Sequence, residues 1–115
     1  MMKHVLEEFL LIEGVTTAAV ISQDGFLIES AGQAPVDGDA LAALGSCAMR
    51  FFSYAGKALD RGEARQFALE YGEGSIIFMQ ISGDELLAII TENQSTSGRL
   101  AYILPKMSTR VAAVI

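Results

Sequence analysis

The sequence predicts an α/β domain: a three-layer α/β/α sandwich in the order α-β-β-α-β-β-β-α around a five-stranded antiparallel sheet. Three observations point there. Apolar residues recur at helical spacing near residues 2–12, 40–59 and 98–114. Between them lie short apolar runs bounded by turns that contain glycine. The chain of 115 residues, without linker or repeat, suits a single domain, 1–115. At 51% hydrophobic and 19% charged it is more apolar than a typical soluble domain, where charged residues are about 25%. That excess hints at a surface covered by something besides its own core.

Met2 to Ile12 reads as a helix with Val5, Phe9 and Ile12 on one face, ended by Gly14. Val15 to Ser22 is a strand with apolar or Thr residues on both faces, so it should be covered on both sides. Gln23-Asp24-Gly25 turns the chain into a second strand, Phe26 to Ala31. After a loop containing Pro35, Asp37 or Asp39 can cap a helix running to about Leu59, which Gly62 stops. Arg65 to Tyr71 alternates, with Phe67, Leu69 and Tyr71 on one face and Gln66, Ala68 and Glu70 on the other. Gly72-Glu73-Gly74 turns into Ser75 to Ile81, and a two-residue loop, Gly83-Asp84, leads to Glu85 to Thr91. Ser95 to Ser97 can cap a final helix carrying Leu100, Ile103, Leu104, Met107, Val111 and Val114 as its stripe. Pro105 removes a hydrogen bond there, so a kink or a break near Leu104 is expected.

On a helical wheel the apolar residues of the middle helix fill roughly 180° of arc, where a surface helix needs only ~100°. One sheet cannot cover so wide a face, and a copy of the same helix across a two-fold axis is the simplest second cover. Ala48, Ala55 and Gly45 would let that copy approach closely. Arg65 to Tyr71, if it lies at a sheet edge, offers unpaired backbone groups to another strand. The expected homodimer interface is therefore Leu44, Cys47, Ala48, Phe51, Phe52, Ala55, Arg65, Phe67, Leu69 and Tyr71. The remaining strip of the helix, Ser46, Arg50, Ser53 and Lys57, is expected to face a partner. Residues 50–65 carry Arg50, Lys57, Arg61 and Arg65 against Asp60 and Glu63, a local excess of positive charge in a chain of net charge −6. Such a strip suits an acidic partner surface, although charged strips also serve merely to keep a face wet.

The acidic balance disfavours nucleic acid, which needs a basic face. One histidine, His4, and one cysteine, Cys47, cannot form a zinc cage or a disulfide framework. No catalytic residue, cofactor site or metal site is assigned. Cys47 sits among apolar helix residues without a histidine near it in sequence, and Gly56-Lys57 lacks the spacing of a phosphate loop. The longest charge-free stretches are far short of the ~20 residues that span a membrane, so no insertion is expected. A cytoplasmic protein is the expectation. A small-molecule sensor would need a pocket with convergent polar groups, and only Thr16, Thr17 and Gln80 look like buried polar candidates.

The run Gly14-Val15-Thr16-Thr17-Ala18-Ala19-Val20-Ile21-Ser22-Gln23-Asp24-Gly25-Phe26-Leu27-Ile28 resembles the opening of the Roadblock/dynein light chain family. Gly98-Arg99-Leu100 is similar to the glycine-containing start of that family's last helix, and the order of elements matches over essentially the whole chain. The resemblance implies dimers whose middle helices pack side by side and whose sheets join into one of ten strands. It implies no active site. It also implies a Ras-like small GTPase as partner, as for the MglB-like bacterial single-domain members, or else a GTPase-independent scaffold or light-chain role. An arginine finger from Arg50 or Arg61 is the one sharp catalytic idea. The resemblance argues against it, since members of that type act by repositioning the GTPase's own residues.

Overall fold

The computed structural model describes residues 1–33, 37–92 and 95–115, with side chains throughout except at 95–98 and 101. The elements are α1 (Met2–Phe9), β1 (Val15–Ser22), β2 (Leu27–Gly32), α2 (Gly38–Ala58), β3 (Gln66–Tyr71), β4 (Gly74–Gln80), β5 (Glu85–Thr91) and α3 (Ser95–Ala112). The strands form one open antiparallel sheet in the order β2-β1-β5-β4-β3. The predicted class and order are those observed, and β3 lies at an edge.

Strand alternation divides the core into two halves. Ala18 and Val20 of β1, Ile77 and Met79 of β4, and Leu87 and Ile89 of β5 meet Leu6 and Phe9 of α1 and Leu100, Leu104 and Val111 of α3. Their neighbours Ala19, Ile21, Phe78, Leu86 and Ala88 meet Leu41, Ala42 and Met49 of α2 on the opposite face. Two helices thus cover one face and α2 alone covers the other. α1 and α3 are further joined by Arg110, which donates to both carboxylate oxygens of Glu8. Two buried polar residues that alternation did not single out, Ser75 and Thr91, satisfy each other at 2.8 Å.

Several local expectations are corrected. α1 ends at Phe9 rather than Ile12, because the chain tightens into successive turns closed by Leu10, Leu11 and Ile12 donating three residues back. Asp37, not Asp39, caps α2, its carboxylate accepting from the Ala40 N–H at 3.0 Å. The β4–β5 link is longer than two residues: Ile81 and Ser82 both donate to the Glu85 carbonyl, and the Ser82 hydroxyl accepts from the N–H groups of Asp84 and Glu85. α3 is not broken at Leu104 but runs through Pro105. Leu100, Leu104 and Val111, buried on either side of the proline, hold both halves against the sheet while Pro105 faces outward. The loop at Pro35 and the capping side chains of Ser95 to Ser97 lie outside the described residues.

Candidate functional site

Most of the residues that the sequence singles out lie on α2, whose opposite faces have different surroundings. Its inner face buries Leu41, Ala42, Gly45, Ser46 and Met49. Gly45 was expected to admit a second helix; instead it lets α2 settle on its own sheet. A Cβ there would stand 2.5 Å from Ile21 Cδ1 and 2.6 Å from Phe78 Cε1.

The outer face carries Ala40, Leu44, Cys47, Phe51, Tyr54 and Ala58, spaced alternately by four and three residues, as along a helix-pairing seam. Leu44 is half-buried and the other five are exposed, Phe51 by 66% and Tyr54 by 75%. Ala48 and Ala55 are half-buried beside them. Rings continue inward from this seam: Phe51 meets Phe52 at 5.8 Å between centroids, Phe52 meets Phe67 at 4.8 Å, and Phe67 stacks on the buried Phe78 at 4.9 Å. Phe52 and Phe67 are therefore half-buried against their own chain, and Leu69 packs likewise on the α2-side core. Tyr71 remains 48% exposed at the end of β3. The expected interface residues thus gather along α2 and β3, Arg65 standing just before β3 with its carbonyl accepting from the Gln80 N–H at 2.8 Å.

Arg65 belongs to a second feature, a groove of about 1020 Å³ flanking the C-terminal half of α2. Arg50, Ser53, Tyr54 and Lys57 form its helical wall, residues 61–65 its end, and Gln23, Gln80, Ser82 and Gly83 the far side. The end is shaped by how α2 stops. Arg61 N–H donates to Gly56 carbonyl at 2.7 Å and Asp60 N–H to Lys57 carbonyl at 3.1 Å, with Asp60 in the left-handed region at φ 57°. Asp60 therefore closes the helix end, and Asp tolerates that conformation better than most residues, while Gly62 follows it in the left-handed region at φ 83°. The Gly62 carbonyl then passes so close that a Cβ on Gly56 would lie 2.2 Å from it.

Of the residues expected to face a partner, Arg50 and Lys57 are exposed and Ser53 is half-buried, its hydroxyl accepting from the Ala64 N–H at 3.1 Å. Ser46 is a correction: it is only 2% exposed. Its hydroxyl donates to the Gln23 carbonyl at 2.6 Å and accepts from Arg50 Nη2 at 3.1 Å, so it positions Arg50 rather than meeting a partner. Gln23, Ser82 and Gly83 come from two turns remote in sequence and carried no local signal of a groove, whereas Gln80, the last residue of β4, is one of the polar residues that the sequence singles out. Among the described residues no group of three or more His, Cys, Asp and Glu is placed to hold a metal ion, and no helix is long and apolar enough to cross a membrane.

Residues 1–91 match the family model of the Roadblock/LC7 domain. The chain belongs to the Roadblock/LC7 family. Solved structures similar to it include a Roadblock/LC7 domain from Streptomyces avermitilis, 21% identical with a TM-score of 0.86, covering 97% of this chain and 95% of that one. MglB of Myxococcus xanthus is 19% identical with a TM-score of 0.87, covering 98% and 93%. The gliding protein MglB of Thermus thermophilus is 20% identical with a TM-score of 0.84, covering 99% and 90%. At these identities the likeness is one of fold. No curated protein matches the chain. The Roadblock/LC7 match ends before α3, and the likeness of that helix to the solved structures is one of fold.

Proposed function

We propose that this chain is a non-catalytic, homodimeric regulator of a Ras-like small GTPase, acting in the cytoplasm. The observation that carries the reading is the exposed apolar seam of α2 lying beside the open edge at β3. A face so apolar favours burial, at about 1.5–3 kcal/mol for an aromatic side chain removed from water. A two-fold axis past α2 and β3 covers the seam and extends the sheet in one operation. Leu44, Cys47, Ala48, Phe51, Phe52, Ala55, Phe67, Leu69 and Tyr71 then form the interface. Family membership and the MglB-like fold support a GTPase as the partner, met by the polar flank of α2 that carries Arg50, Ser53 and Lys57.

Regulation of this kind requires different affinities for the two nucleotide states, because only differential binding shifts a conformational equilibrium. Faster hydrolysis would follow from repositioning the GTPase's own residues. The test is an affinity pull-down run in parallel with GDP and with a non-hydrolysable GTP analogue. A small GTPase enriched only with the analogue is the expected result. Equal enrichment would make the chain a scaffold, and absence of a GTPase from both arms would overturn the reading in favour of a GTPase-independent assembly or sensor role.

A further inference from the structure

Apart from Lys3, the basic residues of the molecule fall either on α3 or around the C-terminal half of α2. Arg50, Lys57, Arg61 and Arg65, half of the chain's eight basic residues, line a single groove that contains one carboxylate, Glu63, while the chain as a whole carries −6. Lys57 pairs with Glu63 at 3.2 Å, but both are largely exposed, and such pairs are worth about 0–1 kcal/mol and exchange readily. Arg50, Arg61 and Arg65 have no carboxylate within 4.0 Å among the described residues. Arg50 is nevertheless held in place, through Ser46 and the Gln23 carbonyl. The groove is thus a partly preorganised set of guanidinium groups that the chain's own carboxylates leave uncompensated.

Its size and position select the kind of anion. About 1020 Å³ in an open groove lies at the upper end of the ~300–1,000 Å³ of small-molecule sites and has room for a stretch of chain. Phosphate groups are favoured by helix N-termini, where free backbone N–H groups converge. This groove flanks the opposite, carbonyl-rich end of α2, whose dipole disfavours a concentrated anion. Arg50 and Lys57 stand about two helical turns apart along the wall, and Arg61 and Arg65 line the end. Spaced side-chain carboxylates, each taken bidentately by an arginine, fit that layout better. Met49, Tyr54 and Ala64 add apolar contact between the charges.

We propose that this groove docks an acidic polypeptide segment of the partner protein, with Arg61 and Arg65 as recognition residues beyond the flank of α2. The proposal rests on the reading of α2 as partner-facing, and it widens the contact to the α2–β3 turn. Arg65 therefore acts in the groove rather than in the dimer.

The probe is a short fluorescein-labelled peptide alternating Glu and Leu, compared by anisotropy with its Gln counterpart and with a labelled single-stranded oligonucleotide. The Glu peptide binds, its affinity falls as salt is raised, and Arg61→Glu weakens it about tenfold or more. Arg61 is exposed and lies on neither the seam nor β3, so its replacement leaves folding and oligomeric state intact, which circular dichroism and gel filtration check. Lys3→Glu, outside the groove, leaves binding unchanged. Equal binding of the Gln peptide, indifference to Arg61→Glu, or binding of the oligonucleotide alone would each overturn the proposal. A second comparison separates it from the functional reading. If wild type and Arg61→Glu capture the same GTPase equally, the groove proposal fails and the regulator stands. If no GTPase is captured but Glu peptide is still preferred over Gln peptide, the regulator fails and the groove stands.

Discussion

Gly45 and Ser46, adjacent in sequence, illustrate how a single residue changes meaning once its neighbours are known. On a wheel, Gly45 looks like room for another helix and Ser46 like part of a polar strip. In the fold both point at the sheet. Gly45 sets the distance between α2 and the strands, and Ser46 is the link that holds Arg50 toward the groove. Gly45→Ala is expected to destabilise the protein by about 1–3 kcal/mol, because Ile21 and Phe78 are fully buried and must shift to admit a methyl group. Urea unfolding measures this directly. A variant of unchanged stability would mean that α2 rides higher on the sheet than the geometry indicates.

α2 and α3 each violate a simple rule of their kind. α2 is apolar around far more of its circumference than one sheet can cover, and its C-terminal half leaves Phe51, Tyr54 and Leu59 in solvent. α3 holds an interior proline and still continues to Ala112. The two violations differ in kind. The first leaves apolar surface available to a second molecule. The second is offset within the chain by leucines and a valine buried on both sides of the break in hydrogen bonding. Because Pro105 faces solvent, Pro105→Ala restores a backbone donor without touching the core, and a gain of about 2 kcal/mol in unfolding free energy is expected after allowing for the looser unfolded chain. A loss of stability would indicate that α3 needs the proline's geometry.

At the scale of the molecule, the two edges and two faces of the sheet are unequal. The face under α1 and α3 is closed by two helices, while the α2 face ends in an aromatic seam next to the edge at β3. Phe51→Glu places a charge in the middle of that seam. Phe51 is already 66% exposed within one chain, so the substitution should change monomer stability by no more than about 0.5 kcal/mol. It should convert a dimer into a 12.3 kDa species in light scattering, with an unchanged far-ultraviolet spectrum. A wild-type chain that is already monomeric, or a variant that remains dimeric, would remove α2 from the interface. The basic groove lies along the flank of the same helix and shares Tyr54 with the seam, so the two surfaces of α2 adjoin at that residue.

The amino-acid sequence by itself determined the class, the element order, the alternation of β3 and the burial of β1 on both faces. These follow from local periodicity and from turn residues, both of which act over a few positions. It also determined that α2 is too apolar to be satisfied by one sheet. Only the tertiary structure decided which polar residues are buried and which cations act together. Ser46 is drawn inward by a carbonyl twenty-three positions earlier, and Ser75 finds Thr91 across the sheet, sixteen positions away. Arg65 reads as an edge-strand charge in the sequence, yet it shares a groove with Arg50, with Arg61, and with Gln23 and Ser82 from distant turns. A groove is made where separate turns meet, and the position of one turn against another is set by long-range packing of the sheet, which a local pattern does not encode.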